Sequence, residues 1–194
     1  MIQIGKRSSF KRVEKDLYRT IDWRAVASLS PFLNPGTKYA EPCWGYGDLE
    51  SWLSFKGHEC VYRSDIQPHY NDILQKDALE LNSDDLSTAE CIITNPPWTR
   101  NILHPMIERL SRLKPTWLLF DSDWAFTKQA QHYLDSYCTD IVAIGRLVWI
   151  PDTNISGKDN CSWYRFDARK GPELPPFFFS RKDYKKKDFF NVNN

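Results

Sequence analysis

Apolar residues along the chain fall into short blocks that stop at Gly, Pro, Asn or Asp, and between the blocks they recur at helical spacing. Residues 36–47, "GTKYAEPCWGYG", read as a strand running into a glycine turn, and residues 48–57, "DLESWLSFKG", as a short helix stopped by Gly57. Residues 60–66, "CVYRSDI", are a second strand. Residues 91–97, "CIITNPP", are a strand bounded by prolines; after it Ile102, Met106, Ile107, Leu110 and Leu113 place one apolar face on a helix that tolerates Pro105 near its start. "TWLLFDSD" is a buried strand and "TKQAQHYLDSYC" a helix, while "DIVAIGRLVWI" and "CSWYRFDA" are strands separated by the polar loop 151–160, "PDTNISGKDN". Strands alternating with helices predict an α/β protein with an open, mainly parallel sheet and helices on both faces. In such a sheet ligands bind outside the carboxyl ends of the strands.

Composition narrows the class. The chain has 194 residues and 41% hydrophobic content, which suits one core-bearing domain. No apolar run approaches a membrane span, and the N-terminal stretch "MIQIGKRSSFKRVEK" lacks the apolar core of a secretory signal, so a cytoplasmic protein with no membrane partner is expected. The five cysteines are scattered without the spacing of a zinc site or a disulfide framework, and read as free thiols with no metal. Net charge is +1, but residues 1–24 carry seven Lys/Arg against three acids, residues 169–194 again seven against three, and the interval twelve against nineteen. Two basic ends around an acidic middle fit a polyanion partner, or two solvated ends.

Three strand ends carry chemistry. After the first strand, Glu41-Pro42-Cys43-Trp44-Gly45-Tyr46-Gly47 puts glycines where a backbone turns tightly and approaches a ligand. The second strand ends in Asp65, where a carboxylate can accept from both hydroxyls of a ribose. Asp77, in "KDALEL", is placed to meet an adenine amino group in the same way. The fourth block ends in Asn95-Pro96-Pro97-Trp98, which is either a proline turn or a site.

The order EPCWGYG, Asp65, Asp77, NPPW resembles the S-adenosylmethionine-dependent amino-methyltransferases, particularly the short phage and prophage DNA adenine-N6 methyltransferases. The likeness runs over about residues 10–167. It implies a Rossmann-like methyltransferase fold with a seven-stranded sheet, and a single catalytic domain over 1–168. Residues 169–194 follow as a basic, proline-interrupted tail, and no separate target-recognition domain is expected. It further implies that Tyr18, Thr20, Glu41, Pro42, Gly45, Gly47, Asp65, Ile66, Asp77, Ala78 and Asn95 hold S-adenosyl-L-methionine. The segment "DLYRTIDW" is similar to the one that touches the methionine end of the cofactor, with Ile21 where a proline commonly stands.

An exocyclic amine is a poor nucleophile because its lone pair is conjugated into the ring, so it needs acceptors that favour its tetrahedral form. The side-chain oxygen of Asn95 and the carbonyl of Pro96 are the acceptors, Pro97 stiffens their turn, and Trp98 offers a face for the base. The implied acceptor is adenine N6 in DNA, flipped from the duplex or single-stranded. Adenine in RNA, cytosine N4 and a protein glutamine present similar amines. A methyltransferase fold also serves as an inactive nucleic-acid-binding subunit, but retention of the hook and the glycines favours an enzyme.

Specificity elements are sparse, so a short or relaxed recognition context is expected. Arg100, just past the hook, suits a phosphate or a surface helix position. Lys158, Asp159 and Asn160 line either the DNA entrance or an ordinary turn at Gly157. Lys6, Arg7, Lys11 and Arg12 at one end and Lys185, Lys186 and Lys187 at the other are candidate phosphate contacts. Phe177, Phe178 and Phe179 either pack on the body or form a partner surface, which leaves a homo-oligomer open.

Overall fold

A computed structural model describes residues 18–169 and 174–191; Lys6, Arg7, Lys11 and Arg12 lie outside the described residues. Among the described residues eight strands form one sheet in the order β3-β2-β1-β4-β5-β7-β6-β8. They are β1 Lys38–Glu41, β2 Glu59–Asp65, β3 Leu74–Gln75, β4 Cys91–Thr94, β5 Thr116–Asp121, β6 Cys138–Gly145, β7 Cys161–Phe166 and β8 Phe177–Phe179. Only β7 runs antiparallel to its neighbours, β5 and β6.

The chain begins the sheet at β1, steps outward to β2 and β3, then crosses back to place β4 on the other side of β1. The strand order therefore reverses between β1 and β4, and the crevice above that point is where such sheets take ligands. The glycine turn leaves β1 and the NPPW segment leaves β4, so the two motifs meet there.

Alternation along the strands supplies two core faces. Trp117 and Leu119 of β5 point into one cluster, with Tyr39, Ile93 and Trp163. Leu118 and Phe120 point into the opposite cluster with Tyr164 and Phe166. Helices α1 (Arg24–Leu29), α2 (Asp48–Phe55) and α5 (Lys186–Phe190) cover the first face; α3 (Arg100–Leu113) and α4 (Gln131–Ser136) cover the second. Every residue of β4 is buried, as its unbroken apolar run requires of a strand covered on both sides. The first turn of α2 carries Asp48 and Glu50, which suit the positive end of its dipole.

Several sequence expectations are corrected. Among the described residues the sheet has eight strands rather than seven, with Phe177–Phe179 paired in parallel with β6 at the edge. Residues 174–191 are not a separate solvated tail: Phe179 meets the ring of Phe32 at 4.7 Å, and Phe189 is 5% exposed within the main core. The helix expected over "TKQAQHYLDSYC" is a 3-10 turn at Lys128–Ala130 followed by α4, and its last residue starts β6. The strand "DIVAIGRLVWI" ends at Gly145, whose φ is 95°, and the remainder keeps only an isolated bridge between Val148 and Ser156. On α3 the buried face uses Leu103 where Ile102 was expected, and Ile102 is left 41% exposed. No helix among the described residues is long and apolar enough to cross a membrane.

Candidate active site

A cavity of about 620 Å³ opens at the β1/β4 switch point. Its size suits a nucleoside-sized ligand. Tyr18 and Thr20 border it from the segment before α1, and Glu41, Pro42 and Gly45 from the turn after β1. Asp65 and Ile66 enter from the end of β2, Asp77 and Ala78 from the 3-10 turn that follows β3, and Asn95 and Pro97 from the end of β4. One cavity thus joins nearly all the residues expected to hold the cofactor to the head of the NPPW segment.

The glycine turn explains itself locally. Gly45 sits at φ 58°, and a Cβ built on it would meet no atom within 4 Å, so its bare side faces open cavity. Its amide donates to Oδ2 of Asp65 at 2.9 Å, and the amide of Gln67 donates to Oδ1 at 2.8 Å. Each carboxylate oxygen keeps a lone pair for a ligand diol. Gly47, at φ 75°, does not border the cavity; a Cβ there would enter the ring of Trp44, whose indole N–H is fixed on Glu50 at 2.6 Å. Asp77 caps its own turn by accepting from the amide of Leu79 at 2.9 Å. Ile66, 59% exposed, and Ile102 are aliphatic surfaces on the same cavity, suited to the faces of a planar ring.

Glu41 is a buried acid on the same cavity. It is 2% exposed, and its Oε2 has no hydrogen-bond partner among the described residues. Burial, then the charge of Glu50, pushes its carboxyl well above the usual range. A buried, unsatisfied acid beside a cavity is poised for a cationic or hydrogen-bond-donating ligand.

Asn95 is held on three sides. Its Nδ2 donates to the carbonyl of Tyr18 at 3.0 Å and to Oγ1 of Thr20 at 3.1 Å, and its Oδ1 accepts the indole N–H of Trp98 at 3.1 Å. Pro96 is buried. Neither Pro96 nor Trp98 is among the residues bordering the cavity. The Trp98 ring instead meets Trp149 edge-on at 5.6 Å and Tyr18 at 6.2 Å. The ring is half-buried, with Trp149 and Tyr18 as its aromatic neighbours.

The residues set aside for nucleic acid scatter. The Arg100 guanidinium donates to Thr127 Oγ1 and Gln129 Oε1, at 3.2 and 3.3 Å, on the loop after β5. Lys158 and Asn160 are exposed, and the carbonyl of Asn160 accepts from the amide of Ser122 at 2.8 Å, which ties the 151–160 loop to that same loop. Lys185, Lys186 and Lys187 are exposed on or beside α5. The neighbours of α5 are Trp23, Trp52, Phe55 and Lys56, along the part of α2 away from the glycine turn.

Sequence reasoning passed over Arg19 and Trp149. Arg19 donates to both oxygens of Asp48, at 2.7 and 2.8 Å, and lies 4.7 Å from the centre of the Tyr46 ring, which stacks on His69 at 4.1 Å. These contacts clasp the segment before α1, the glycine turn and the β2–β3 loop around one mouth. The spacing of "YRT" before α1 carried a signal for its neighbours only.

A candidate RNA methyltransferase of Pyrococcus horikoshii superposes with a TM-score of 0.54 at 14% identity, over 75% of this chain and 80% of that one. The chain has the Rossmann-like methyltransferase fold. A TehB-like S-adenosylmethionine-dependent methyltransferase of Corynebacterium glutamicum aligns at TM-score 0.48 and 12% identity, over 76% of this chain and 88% of that one. No protein-family model and no curated protein matches the sequence. In this methyltransferase fold the cavity occupies the place after β1 and β2 that the glycine turn and Asp65 define, with Asn95 at its rim.

Proposed function

We propose that the chain is an S-adenosylmethionine-dependent methyltransferase that transfers a methyl group to the exocyclic N6 amine of adenine in DNA. The observation that carries this reading is the placement of the Asn95 carboxamide at the rim of a cavity lined by Gly45, Asp65 and Asp77.

The residues present fit the cofactor. Gly45 leaves space that a nucleoside would fill, Asp65 keeps acceptor capacity for a ribose diol, and Ile66, Ile102 and Asp77 border the same cavity, where they would meet an adenine ring and its amino group. The unpartnered Oε2 of Glu41 suits an ammonium. When bound, S-adenosylmethionine supplies a methyl group already activated on a sulfonium. The rest is placement: Asn95 Oδ1 and the Pro96 carbonyl accept the two N–H bonds of the amine, and the proline pair fixes the aim of both. No strong base is needed, because the amine loses its proton after it has attacked.

DNA is favoured by the resemblance of NPPW and the glycine turn and by the basic residues, of which Arg100 opens α3 just past the NPPW segment and Lys158 is exposed on the 151–160 loop. The interval from Gly47 to Asn95 is filled by α2, β2, β3 and β4, so we expect a short recognition context with much of the affinity from phosphates. The test is incubation of the protein with methyl-labelled cofactor and matched DNA and RNA, followed by nucleoside digestion. Label in N6-methyladenosine from RNA alone, in N4-methylcytosine, or in neither polymer would overturn the assignment.

A further inference from the structure

We propose that Trp98 acts on methyl transfer by holding the Asn95 carboxamide in one orientation through its indole N–H. The inference rests on the acceptor role given to Asn95 above.

The torsion that orients an Asn amide is broad and roughly two-fold, so packing alone does not decide which end faces the substrate. Hydrogen bonds do. The carbonyl of Tyr18 and Oγ1 of Thr20 take the two hydrogens of Nδ2, and the indole N–H of Trp98 takes one lone pair of Oδ1. Flipping the amide would turn Nδ2 toward the indole N–H and present N–H groups to the N–H groups of the acceptor amine. Both contacts would be donor against donor. In the observed orientation the second lone pair of Oδ1 remains for the amine.

Trp98 is itself held. Trp149, 9% exposed, meets it at an interplanar angle of 84°, and Tyr18 lies across it at 39°. Trp149 is fixed in turn: a Cβ on Gly157 would stand 2.8 Å from its Nε1, and the amide of Val148 donates to Oδ2 of the buried Asp22 at 3.0 Å. A ring wedged between two aromatics and packed against two core clusters is built to fix an edge. The N–H on that edge donates to Oδ1 of Asn95.

Trp98→Phe keeps an aromatic ring in this packing and removes the donor together with the five-membered part of the indole. The expected result is a fall in kcat of about 3- to 10-fold, the loss that accompanies one neutral hydrogen bond, with acceptor KM and cofactor Kd within about twofold of the parent. An unchanged kcat, or a raised acceptor KM at constant kcat, would overturn the proposal. The bond has its own readout. In the 15N–1H spectrum of the whole protein, the indole resonance lost in Trp98→Phe should shift and exchange faster with solvent in Asn95→Leu; an unmoved resonance also overturns the proposal. If the parent protein transfers no methyl to DNA, the proposed function falls and the role of Trp98 in transfer falls with it, while the resonance still reports whether the bond exists.

Discussion

The amide of Gly45 donates to Oδ2 of Asp65 over 2.9 Å, so the acid that ends β2 holds the glycine turn that ends β1. Two motifs separated by a helix in the sequence become one cradle. Because Gln67 donates to the other oxygen, the carboxylate is oriented by backbone on both sides before a ligand arrives.

Replacing Asp65 with Ala removes both the proposed ribose partner and the acceptor that pins Gly45. Cofactor affinity should fall by about 1.5–3 kcal/mol, the range for hydrogen bonds to a charged group. Calorimetry giving unchanged affinity would reject the cradle.

The two glycines of the turn should fail differently. Both take left-handed backbone, which costs a side-chain-bearing residue about 1–2 kcal/mol. Gly47→Ala adds a clash with the fixed Trp44 ring, so it should lower the melting temperature more than Gly45→Ala. Gly45→Ala puts its methyl into the cavity, so it should weaken the cofactor more. Thermal melts and titrations of both variants check the crossover.

Glu41 predicts a pH dependence. Burial raises its carboxyl above the usual 4.5, so the folded state favours the protonated form. Its contribution to stability is full below about pH 4.5 and is lost as pH rises through the higher folded value. Glu41→Gln removes that loss: at neutral pH the free variant should melt above the parent, with the gap closing toward pH 4 and cofactor binding weakened. Parallel melting curves at all pH values would contradict it.

Phe189 is a core residue of a segment whose composition suggests a tail. Phe189→Ala should cost about 3–5 kcal/mol of folding, the usual range for a buried aromatic. Deleting residues 181–194 therefore damages the body of the protein. Substituting Lys185, Lys186 and Lys187 with Gln leaves Phe189 in place and is the cleaner probe of phosphate contacts, read as a flatter salt dependence of DNA binding.

The fold was legible where strands are buried on both faces, since "CIIT" and "TWLLF" are apolar without interruption. Turn chemistry marked the other informative places, Gly45 and Gly47 above all. β8 was not legible, because a three-residue edge strand after Pro175 and Pro176 has no alternation to read, and Phe177 and Phe178 stay 68% exposed. The site was legible through residues whose type carries chemistry, such as Asp65 and Asn95. Trp149 and Arg19 were not, because their roles come from contacts across the fold: Trp149 reaches Trp98 and Tyr18, and Arg19 reaches Asp48 from 29 residues away. Trp98 was read by type as a stacking face, and its hydrogen bond to Asn95 is a fact of tertiary geometry.

The most direct test compares methyl transfer to DNA by the parent protein and by Asn95→Ala, alongside cofactor affinity measured for each. The account predicts N6-methyladenine as the product of the parent, loss of most transfer in Asn95→Ala, and a cofactor affinity that moves far less than the rate. Transfer at the parental rate by Asn95→Ala would contradict it.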